Sequence, residues 1–261
     1  MTHVGSPRRT TTGALCNAAP RVVPSPAVAH ADETLLAMYD AMRAHFGPQH
    51  WWPASRTLPP AERKLEICVG AILTQNTNWQ NVEKALASLL AAGRMSAAAL
   101  HEMPEGKLAG LIRPAGYFNV KARRLKHFIA AVMESAGGDI EAFLDGPVDE
   151  LRQRLLAIHG IGPETADSMI LYAAGQRTFV VDAYTRRIFL RHRLIGPRAG
   201  YDDLKRLCES RVPARVGLYN DYHAQLVAVG KTHCRPKARC DGCPLASFPH
   251  DAQPARPGPR P

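Results

Sequence analysis

The amino-acid sequence predicts an all-α protein, and three observations support this fold class. Apolar residues recur at helical spacing in four segments, whereas the alternation typical of β-strands is nearly absent. The one extended candidate is the apolar run at residues 178–181. No repeat occurs at the periods of solenoid proteins. The 261 residues are enough for one large domain or two small ones with a buried core.

Four amphipathic stripes mark the predicted helices. Thr77 or Asn78 can cap the first, because their side chains accept hydrogen bonds from a helix start. The second stripe has a basic face opposite its apolar one. That face consists of Lys121, Arg123, Arg124 and Lys126. The apolar positions are, in chain order, Trp79, Val82, Leu86, Leu89 and Leu90; Leu125, Phe128, Ile129, Val132 and Met133; Leu151, Leu155 and Ile158; and Ala166, Met169, Ile170 and Ala173.

Composition and charge restrict the function classes. Lys and Arg number 33 against 23 Asp and Glu, and the net charge of +10 favours a polyanionic partner. No run of about 18 apolar residues predicts a membrane-spanning helix. The N-terminus lacks an apolar signal core, so we expect a cytoplasmic protein. Residues 1–33 and 249–261 are rich in proline without periodicity and are predicted to be disordered tails.

Residues 155–166, with the sequence LLAIHGIGPETA, predict two helices joined by a tight turn. Gly160 and Gly162 allow the backbone to turn sharply and to approach a ligand closely, and Pro163 suits the first turn of a helix. The free N–H groups at that helix start can bind a phosphate oxygen without reading a base. The pattern resembles the helix-hairpin-helix motif of DNA repair proteins; a plain helical corner in a core is the alternative.

An aspartate follows this hairpin. Asp182 stands eighteen positions after Glu164, directly after the extended candidate. By itself, Asp182 is a good N-cap for the helical segment that follows it. The capping role and a chemical role are compatible.

The hairpin and this aspartate resemble the endonuclease III superfamily of DNA glycosylases, and most closely the bacterial 3-methyladenine DNA glycosylase of endonuclease III type. The resemblance covers residues 34–245 and is carried by four segments. These are WWP at 51–53, AILTQNT at 71–77, GYFNVKA at 116–122 and GIGPETAD at 160–167. It implies two helical domains with a DNA-binding cleft between them: a discontinuous one (34–60 and 176–248) and one at 61–175 that ends in the hairpin at 151–175.

The resemblance implies the catalytic residues. Asp182 matches the catalytic aspartate, whose carboxylate stabilises the positive charge that develops on the sugar as the base leaves. Glu164 stands where endonuclease III has a lysine whose amine forms a Schiff base. Glutamate has no amine, so we predict a monofunctional glycosylase that uses water. Glu164 either assists as a second carboxylate or only stabilises its helix start. Lys231 is a possible substitute amine.

The resemblance also implies residues that contact the base and the duplex. Aromatic faces stack on an extruded base and favour a cationic one, such as N3-alkylated adenine. The predicted base pocket consists of Trp51, Trp52, Pro53 and Trp79. The alternative is that the tryptophans are core anchors. Gln75 and Asn119 are expected to fill the gap left by the flipped nucleotide. Further predicted DNA contacts are Lys121, Gly160, Gly162 and Thr165.

Three of the six cysteines cluster near the C-terminus. Cys234, Cys240 and Cys243 lie among basic residues. In a reducing compartment, clustered thiols indicate metal ligands more readily than disulfides. Endonuclease III holds a [4Fe–4S] cluster here with four cysteines, and in this chain Pro249 occupies the fourth position. The resemblance implies a [4Fe–4S] cluster that orders a basic loop against DNA. Cys208, His233, His250 or an exogenous group is a possible fourth ligand; zinc or a site without metal is the alternative.

We therefore predict a DNA repair N-glycosylase that excises alkylated bases of the 3-methyladenine type from duplex DNA. The partner is double-stranded DNA with damaged bases, and we expect a monomer. Two alternatives stay open. One is a bifunctional glycosylase and lyase for oxidised pyrimidines, and the other is a catalytically silent protein that binds DNA structures.

Overall fold

The computed structural model describes residues 31–55 and 57–252, and within them the chain is helical with no β-strand. The all-α prediction is confirmed. The α-helices are α1 (Ala31–Phe46), α2 (Pro60–Leu73), α3 (Trp79–Ala91), α4 (Ala97–Glu102), α5 (Glu105–Leu111), α6 (Phe118–Ala136), α7 (Ile140–Leu144), α8 (Val148–Leu156), α9 (Pro163–Ser168), α10 (Ala183–Arg191), α11 (Tyr201–Arg211) and α12 (Val216–Thr232). A π-turn at Met169–Ala173 continues α9. In the described part of the chain, no helix is long and apolar enough to cross a bilayer.

The helices bury two separate apolar cores. One core collects side chains from α2 to α9 and the π-turn. The other collects side chains from α1, α10, α11 and α12 and from the segment at 179–181. The chain crosses between the cores after α1 and again after the π-turn. Trp52 and Leu58 pack against the first core, although the sequence assigned 34–60 to the second.

The predicted tails fall mostly outside the described residues, as does Cys16. Two corrections concern their boundaries. Helix α1 begins at Ala31, inside the predicted tail at 1–33. At the other end, the Asp251 N–H donates to the Arg191 carbonyl at 2.7 Å, and the His192 ring donates to the Pro249 carbonyl at 3.1 Å. These two contacts hold the start of the predicted tail at 249–261 against the end of α10.

Asp167 in α9 joins the two helical units. Its carboxylate is fully buried and accepts hydrogen bonds from Arg152 of α8 at 3.0 Å, from Thr178 at 3.0 Å and from Tyr201 of α11 at 2.8 Å. Arg152 also pairs with Asp202 at 3.1 Å. A buried carboxylate is compensated for the loss of water only while all of its hydrogen-bond donors stay in place. The hairpin is therefore held to the second unit through Asp167.

Asp221 in α12 positions the chain between α1 and α2. One of its oxygens accepts from Tyr39 at 2.9 Å and from Arg43 at 3.2 Å, and the other accepts from the backbone N–H of Gln49 at 2.9 Å. The residues after Gln49 carry two of the predicted pocket tryptophans. The placement of Trp51 thus depends on an ion pair with a helix at the other end of the sequence.

The extended candidate at 178–181 is a connecting segment and pairs with no strand among the described residues. Phe179, Val180 and Val181 are buried in the second core. The segment is apolar because it crosses the interior, and it leads directly to Asp182. Short apolar runs of this kind do not distinguish a strand from another buried segment.

Candidate active site

The hairpin turn is built around two glycines that serve different purposes. Gly160 has φ +94°, and a Cβ there would lie 2.4 Å from the Arg124 Cγ of α6. Gly162 has φ −98°, which any residue adopts, and a Cβ there would meet nothing within 4 Å. Gly160 is therefore required by backbone conformation and packing. Gly162 leaves open space in front of α9, whose first turn no side chain caps.

Substitution of the two glycines separates folding from DNA binding. We expect Gly160→Ala to lower the midpoint of thermal unfolding, since it imposes both backbone strain and a clash with Arg124. Gly162→Ala should leave the midpoint unchanged and weaken binding to an undamaged duplex, because its methyl group occupies the space a phosphate needs. Calorimetry and fluorescence anisotropy measure the two effects. Unweakened binding by a folded Gly162→Ala variant would contradict the assignment.

Asp182 is the N-cap of α10, and its two oxygens have different partners. Oδ1 accepts from the Thr185 N–H at 2.7 Å and from the Thr185 hydroxyl at 2.9 Å. Oδ2 faces the His223 Nε2 at 3.6 Å, and 11% of the side chain is exposed. Burial would raise the pKa of Asp182, but His223 and the Thr185 hydrogen bonds outweigh it and lower the pKa. The carboxylate is thus ionised and keeps one oxygen outside the cap.

Glu164 in the first turn of α9 shares the electrostatic environment of Asp182. Its side chain is exposed. Desolvation of the Glu164 carboxyl by the protein packed around it raises its pKa to about 7. The charge of Asp182 is the second cause, and His223 opposes the shift. The site thus brings together one carboxylate that stays ionised and one that titrates near neutral pH. Such a pair suits acid–base chemistry.

Two further polar residues complete this centre, and sequence reasoning missed both. The Tyr172 hydroxyl lies 2.6 Å from the His223 Nδ1, and both side chains are largely buried. Burial raises the pKa of Tyr172 well above its ordinary value, so the hydroxyl keeps its proton and can donate it to Nδ1. The other ring nitrogen, Nε2, faces Asp182 and has no hydrogen-bond partner among the described residues. A buried histidine in the apolar helix α12 was a signal, but nothing in its spacing connects it with Asp182.

Four aromatic side chains, which we call the aromatic group, lie beside these polar residues: Trp51, Trp52, Trp79 and Tyr172. The Trp52 ring lies 5.1 Å from Trp79 and 5.0 Å from Tyr172, centre to centre, and Trp51 lies 6.0 Å from His223. The indole N–H groups of Trp51 and Trp52 are buried without a partner in the described structure. Buried donors of this kind need an acceptor. Core packing explains the rings but not the orphaned N–H groups.

Trp52 contacts both Trp51 and Trp79, and Trp51 contacts His223, which faces Asp182. Pro53 is exposed next to them. Trp52 and Trp79 also pack against the first core, so the anchoring alternative holds for part of their surfaces. The Lys231 ammonium lies 5.6 Å from the centre of the Trp51 ring, which places one amine at the edge of the group.

Lys121 was predicted to contact DNA, and its position does not allow this. The side chain is 1% exposed, and its ammonium donates to the Leu73 and Ala115 carbonyls at 2.8 Å each. Burial, with a contribution from Arg124, lowers the pKa of Lys121 to about 8. Its role is structural, because it joins the end of α2 to the segment before α6. Lys126, also assigned to the basic face of α6, is engaged in the same way, because its ammonium donates to the Leu100 and Met103 carbonyls.

Gln75 and Thr165 are bonded to each other at the hairpin. The Gln75 amide donates to the Thr165 hydroxyl at 2.9 Å and to the Gly160 carbonyl at 3.1 Å, and its oxygen accepts from Arg124. Thr165 is itself buried. Gln75 therefore has to exchange these partners before it can fill a gap in a duplex, and Thr165 offers only its backbone.

The start of α6 and the residue before it carry the two large apolar side chains that are exposed in the described part of the chain. Asn119 is exposed, as predicted for a residue that reaches into DNA. Its neighbours Tyr117 and Val120 are 71% and 38% exposed. Tyr117 has a left-handed backbone at φ +46° and projects from the loop start. Sequence reasoning passed over Tyr117, because an aromatic residue before a helix is ordinarily assigned to the core.

The three clustered cysteines line one pocket at the C-terminal end of the second unit. Cys234, Cys240 and Cys243 share it with three imidazoles, those of His192, His233 and His250. Arg191 donates to the Cys234 Sγ at 3.1 Å. Cys208 does not line this pocket. It is buried in the second core, where burial raises its pKa well above the ordinary value.

The sequence suggests two metal groups for this pocket, a zinc ion and an iron–sulfur cluster, and the two place different demands on the spacing of their ligands. Among the described residues, no three potential ligands come close enough to hold one metal ion. A single zinc ion requires such an approach, because its four ligands surround one centre. In an iron–sulfur cluster each thiolate binds a different iron atom, so the sulfur atoms stay farther apart. The pocket is lined by three thiols and three imidazoles, which are donor types that an iron–sulfur cluster accepts.

Comparison with known proteins identifies the family. Residues 69–214 match the family model of the HhH-GPD superfamily base excision DNA repair proteins. A Methanocaldococcus jannaschii protein named as a candidate DNA repair glycosylase is 42% identical over 83% of this chain and 96% of its own length. Endonuclease III of Sulfolobus acidocaldarius is 29% identical over 69% of this chain and 78% of its own length.

Two solved structures share the fold. The 3-methyladenine DNA glycosylase of H. pylori, bound to 1,N6-ethenoadenine, is 27% identical with a TM-score of 0.64, over 77% of this chain and 97% of that one. An endonuclease III trapped in a covalent intermediate with DNA is 20% identical with a TM-score of 0.69, over 83% of this chain and 94% of that one. At this identity the similarity shows a shared fold only. The chain therefore belongs to the HhH-GPD superfamily of base excision DNA repair proteins and is a DNA glycosylase.

Proposed function

We propose that this glycosylase is monofunctional, excises alkylated purines of the 3-methyladenine type from duplex DNA and uses water as its nucleophile. The observation that carries the proposal is the pairing of two carboxylates, Asp182 and Glu164, beside the aromatic group. Neither carboxylate can form the Schiff base that a lyase needs. The 27% identity to a 3-methyladenine DNA glycosylase supports the substrate class.

Asp182 stabilises the transition state. As the glycosidic bond breaks, the bonding electrons leave with the base and positive charge develops on the sugar. Oδ1 is held by Thr185, so Oδ2 is the oxygen available to face that charge. His223 and Tyr172 are positioning residues: the Tyr172 hydroxyl fixes the imidazole, and the imidazole, 3.6 Å from Oδ2, lowers the pKa of Asp182 and so favours its ionised form. A fixed anion needs no reorganisation during the reaction.

Glu164 accepts the proton of the attacking water. A general base is most effective when its pKa lies near the working pH, and the pKa of Glu164 is about 7. A cationic N3-alkylated adenine leaves as a neutral base, so no acid is required. Water adds to the sugar, its proton passes to Glu164, and the products are the free base and an abasic site.

The pH profile of base release tests the role of Glu164. With a 3-methyladenine duplex, we expect the single-turnover rate to rise as pH increases and to be half-maximal near pH 7, because ionised Glu164 is the active form. Glu164→Gln should remove this dependence and lower the rate roughly a hundredfold to ten-thousandfold at pH 8. Glu150→Gln, which removes a carboxylate from the first turn of α8, is the control. A rate that falls through pH 7 would contradict the base assignment.

The aromatic group receives the flipped base. Each stacked ring contributes about 1–3 kcal/mol, and the ring faces favour a cationic base further. The unpartnered indole N–H groups of Trp51 and Trp52 are donors for acceptor atoms on that base. Recognition by stacking suits a lesion whose glycosidic bond is already weakened by its charge.

The duplex is held by the hairpin and by two loops. The open space at Gly162 and the uncapped start of α9 receive a phosphate. Gln75, after it exchanges its present partners, and Asn119 fill the gap left by the extruded nucleotide, and the exposed Tyr117 ring supports the opened stack. Arg123 remains exposed on α6 as a phosphate contact.

A [4Fe–4S] cluster would be held by Cys234, Cys240 and Cys243. When bound, it supplies a structural cross-link that fixes the loop at 234–243. That loop exposes Arg235, Lys237 and Arg239, which are suited to DNA phosphates. The cysteines lie apart from Asp182 and Glu164 in the sequence and take no part in the hydrolysis.

A base-release screen combined with borohydride trapping tests the proposal. We expect release of free 3-methyladenine from an alkylated duplex, an intact abasic product and no covalent adduct on reduction. Thymine-glycol DNA should not be cleaved. An efficient adduct that disappears in Lys231→Met would establish the bifunctional alternative, since Lys231 is the amine at the edge of the aromatic group. Duplex binding without release of any base would establish the silent binder.

A further inference from the structure

The pocket of the three clustered cysteines offers imidazoles and no fourth thiol. Iron in a [4Fe–4S] cluster takes one protein ligand per iron atom, so three cysteines leave one iron without a side chain. Cys208 is excluded because it does not line this pocket. The candidates are His192, His233 and His250, which line the pocket with the cysteines. Histidine replaces cysteine as a cluster ligand in other proteins.

All three imidazoles bond a backbone carbonyl through Nδ1, which leaves Nε2 of each outside that bond, so their places in the fold distinguish them. The His233 ring packs toward α1, 5.8 Å from His45 and 6.3 Å from Phe46. His192 donates from Nδ1 to the Pro249 carbonyl and so holds the backbone next to His250. His250 follows Cys243 on the same loop, one residue after the position of the fourth cysteine in the resembling family.

His250 is fixed in place and has a free ring nitrogen. The flanking contacts of Pro249 with His192 and of Asp251 with Arg191 attach its backbone to the end of α10. Its Nδ1 lies 2.9 Å from the Phe248 carbonyl, which only accepts, so the proton is on Nδ1. Nε2 then carries a lone pair, which is the state of a metal-binding imidazole.

We propose that His250 is the fourth ligand of a [4Fe–4S] cluster and binds iron through Nε2, alongside the thiolates of Cys234, Cys240 and Cys243. The proposal does not depend on the glycosylase reaction. A neutral imidazole in place of a thiolate gives the cluster one negative charge less. Reduction then becomes easier, and the reduction potential is more positive than with four cysteines.

Spectroscopy of the reconstituted, full-length protein tests this ligand. We expect four iron and four sulfide per chain, and pulsed EPR of the reduced cluster should show a coupled nitrogen that responds to isotopic labelling of histidine. His250→Cys should keep the iron content, lose the nitrogen coupling and shift the reduction potential to a more negative value. His233→Ala, which removes another imidazole of the same pocket, should change neither the coupling nor the potential.

Three results would overturn the proposal: a wild-type cluster without nitrogen coupling, a coupling that persists in His250→Cys, or a folded chain that takes up no iron and sulfide. His250→Ala provides a second test of the ligand if the His250→Cys variant does not fold. Its helical circular dichroism should match the wild type, while one iron per chain is lost on oxidation. These measurements use no DNA, so they are independent of whether the proposed activity is correct.

Discussion

Asp182→Asn is expected to abolish most base release while the protein stays folded and binds DNA. Asparagine keeps the oxygen that accepts from the Thr185 N–H and hydroxyl, so the cap of α10 survives. The negative charge that faces the developing cation is lost. We expect a decrease of roughly a hundredfold to ten-thousandfold in the single-turnover rate on a 3-methyladenine duplex. Quantifying the released base measures the effect.

A matched control separates charge from capping. Asp139 caps α7 in the same way, accepting from the Glu141 and Ala142 N–H groups. Asp139→Asn makes the same chemical change at a helix start of the first unit, and we expect no change in rate. If Asp182→Asn released base at the wild-type rate, the role of this carboxylate in the reaction would be disproved. If it lost duplex binding as well, its effect would be structural.

Asp167→Asn is expected to cause the largest loss of stability. The buried carboxylate compensates the Arg152 guanidinium and accepts from Thr178 and Tyr201. The asparagine amide carries no charge, and its NH2 group would face side chains that are themselves hydrogen-bond donors. Breaking a buried pair by removing one partner costs about 3–5 kcal/mol of the free energy of unfolding. Asp202 still pairs with Arg152, so we expect a value near the lower end, measured by urea denaturation.

Asp203→Asn is the control for this prediction. Asp203 pairs with Arg206 at the surface, where both side chains are more than half exposed. Exposed pairs contribute up to about 1 kcal/mol, so the variant should unfold close to the wild type. Equal losses in the two variants would show that Asp167 is not the link between the helical units.

Much of the site could be predicted from local sequence. The capping ability of Asp182, the absence of an amine at Glu164 and the tight turn at Gly160 are properties of single residues and their immediate neighbours. Local hydrogen bonding and backbone conformation decide them, so a short segment is sufficient. The tryptophans were assigned to a pocket through the resemblance, and that assignment stays a prediction.

Lys121 shows where local reasoning fails. Helical spacing places it with Arg123 and Arg124 on a basic face, and the pattern is correct for those neighbours. Its ammonium is buried because two carbonyls, one at the end of α2 and one before α6, supply acceptors that replace water. That compensation depends on how separate segments meet, and the spacing of charges along one helix does not encode it.

Local sequence was sufficient to predict the helical class, the hairpin and the grouping of three cysteines, whereas the roles of Asp182 and Glu164 came from the resemblance. The first three depend on periodicity or on neighbouring residues. Only the tertiary structure decided that Tyr172 and His223 support Asp182, that Gln75 is bonded to the hairpin and that His250 lies with the cysteines. These contacts join side chains from different helices and loops, and burial gives them their protonation states and partners. Such pairings are set when the cores form, because each buried polar group must find a partner in place of water.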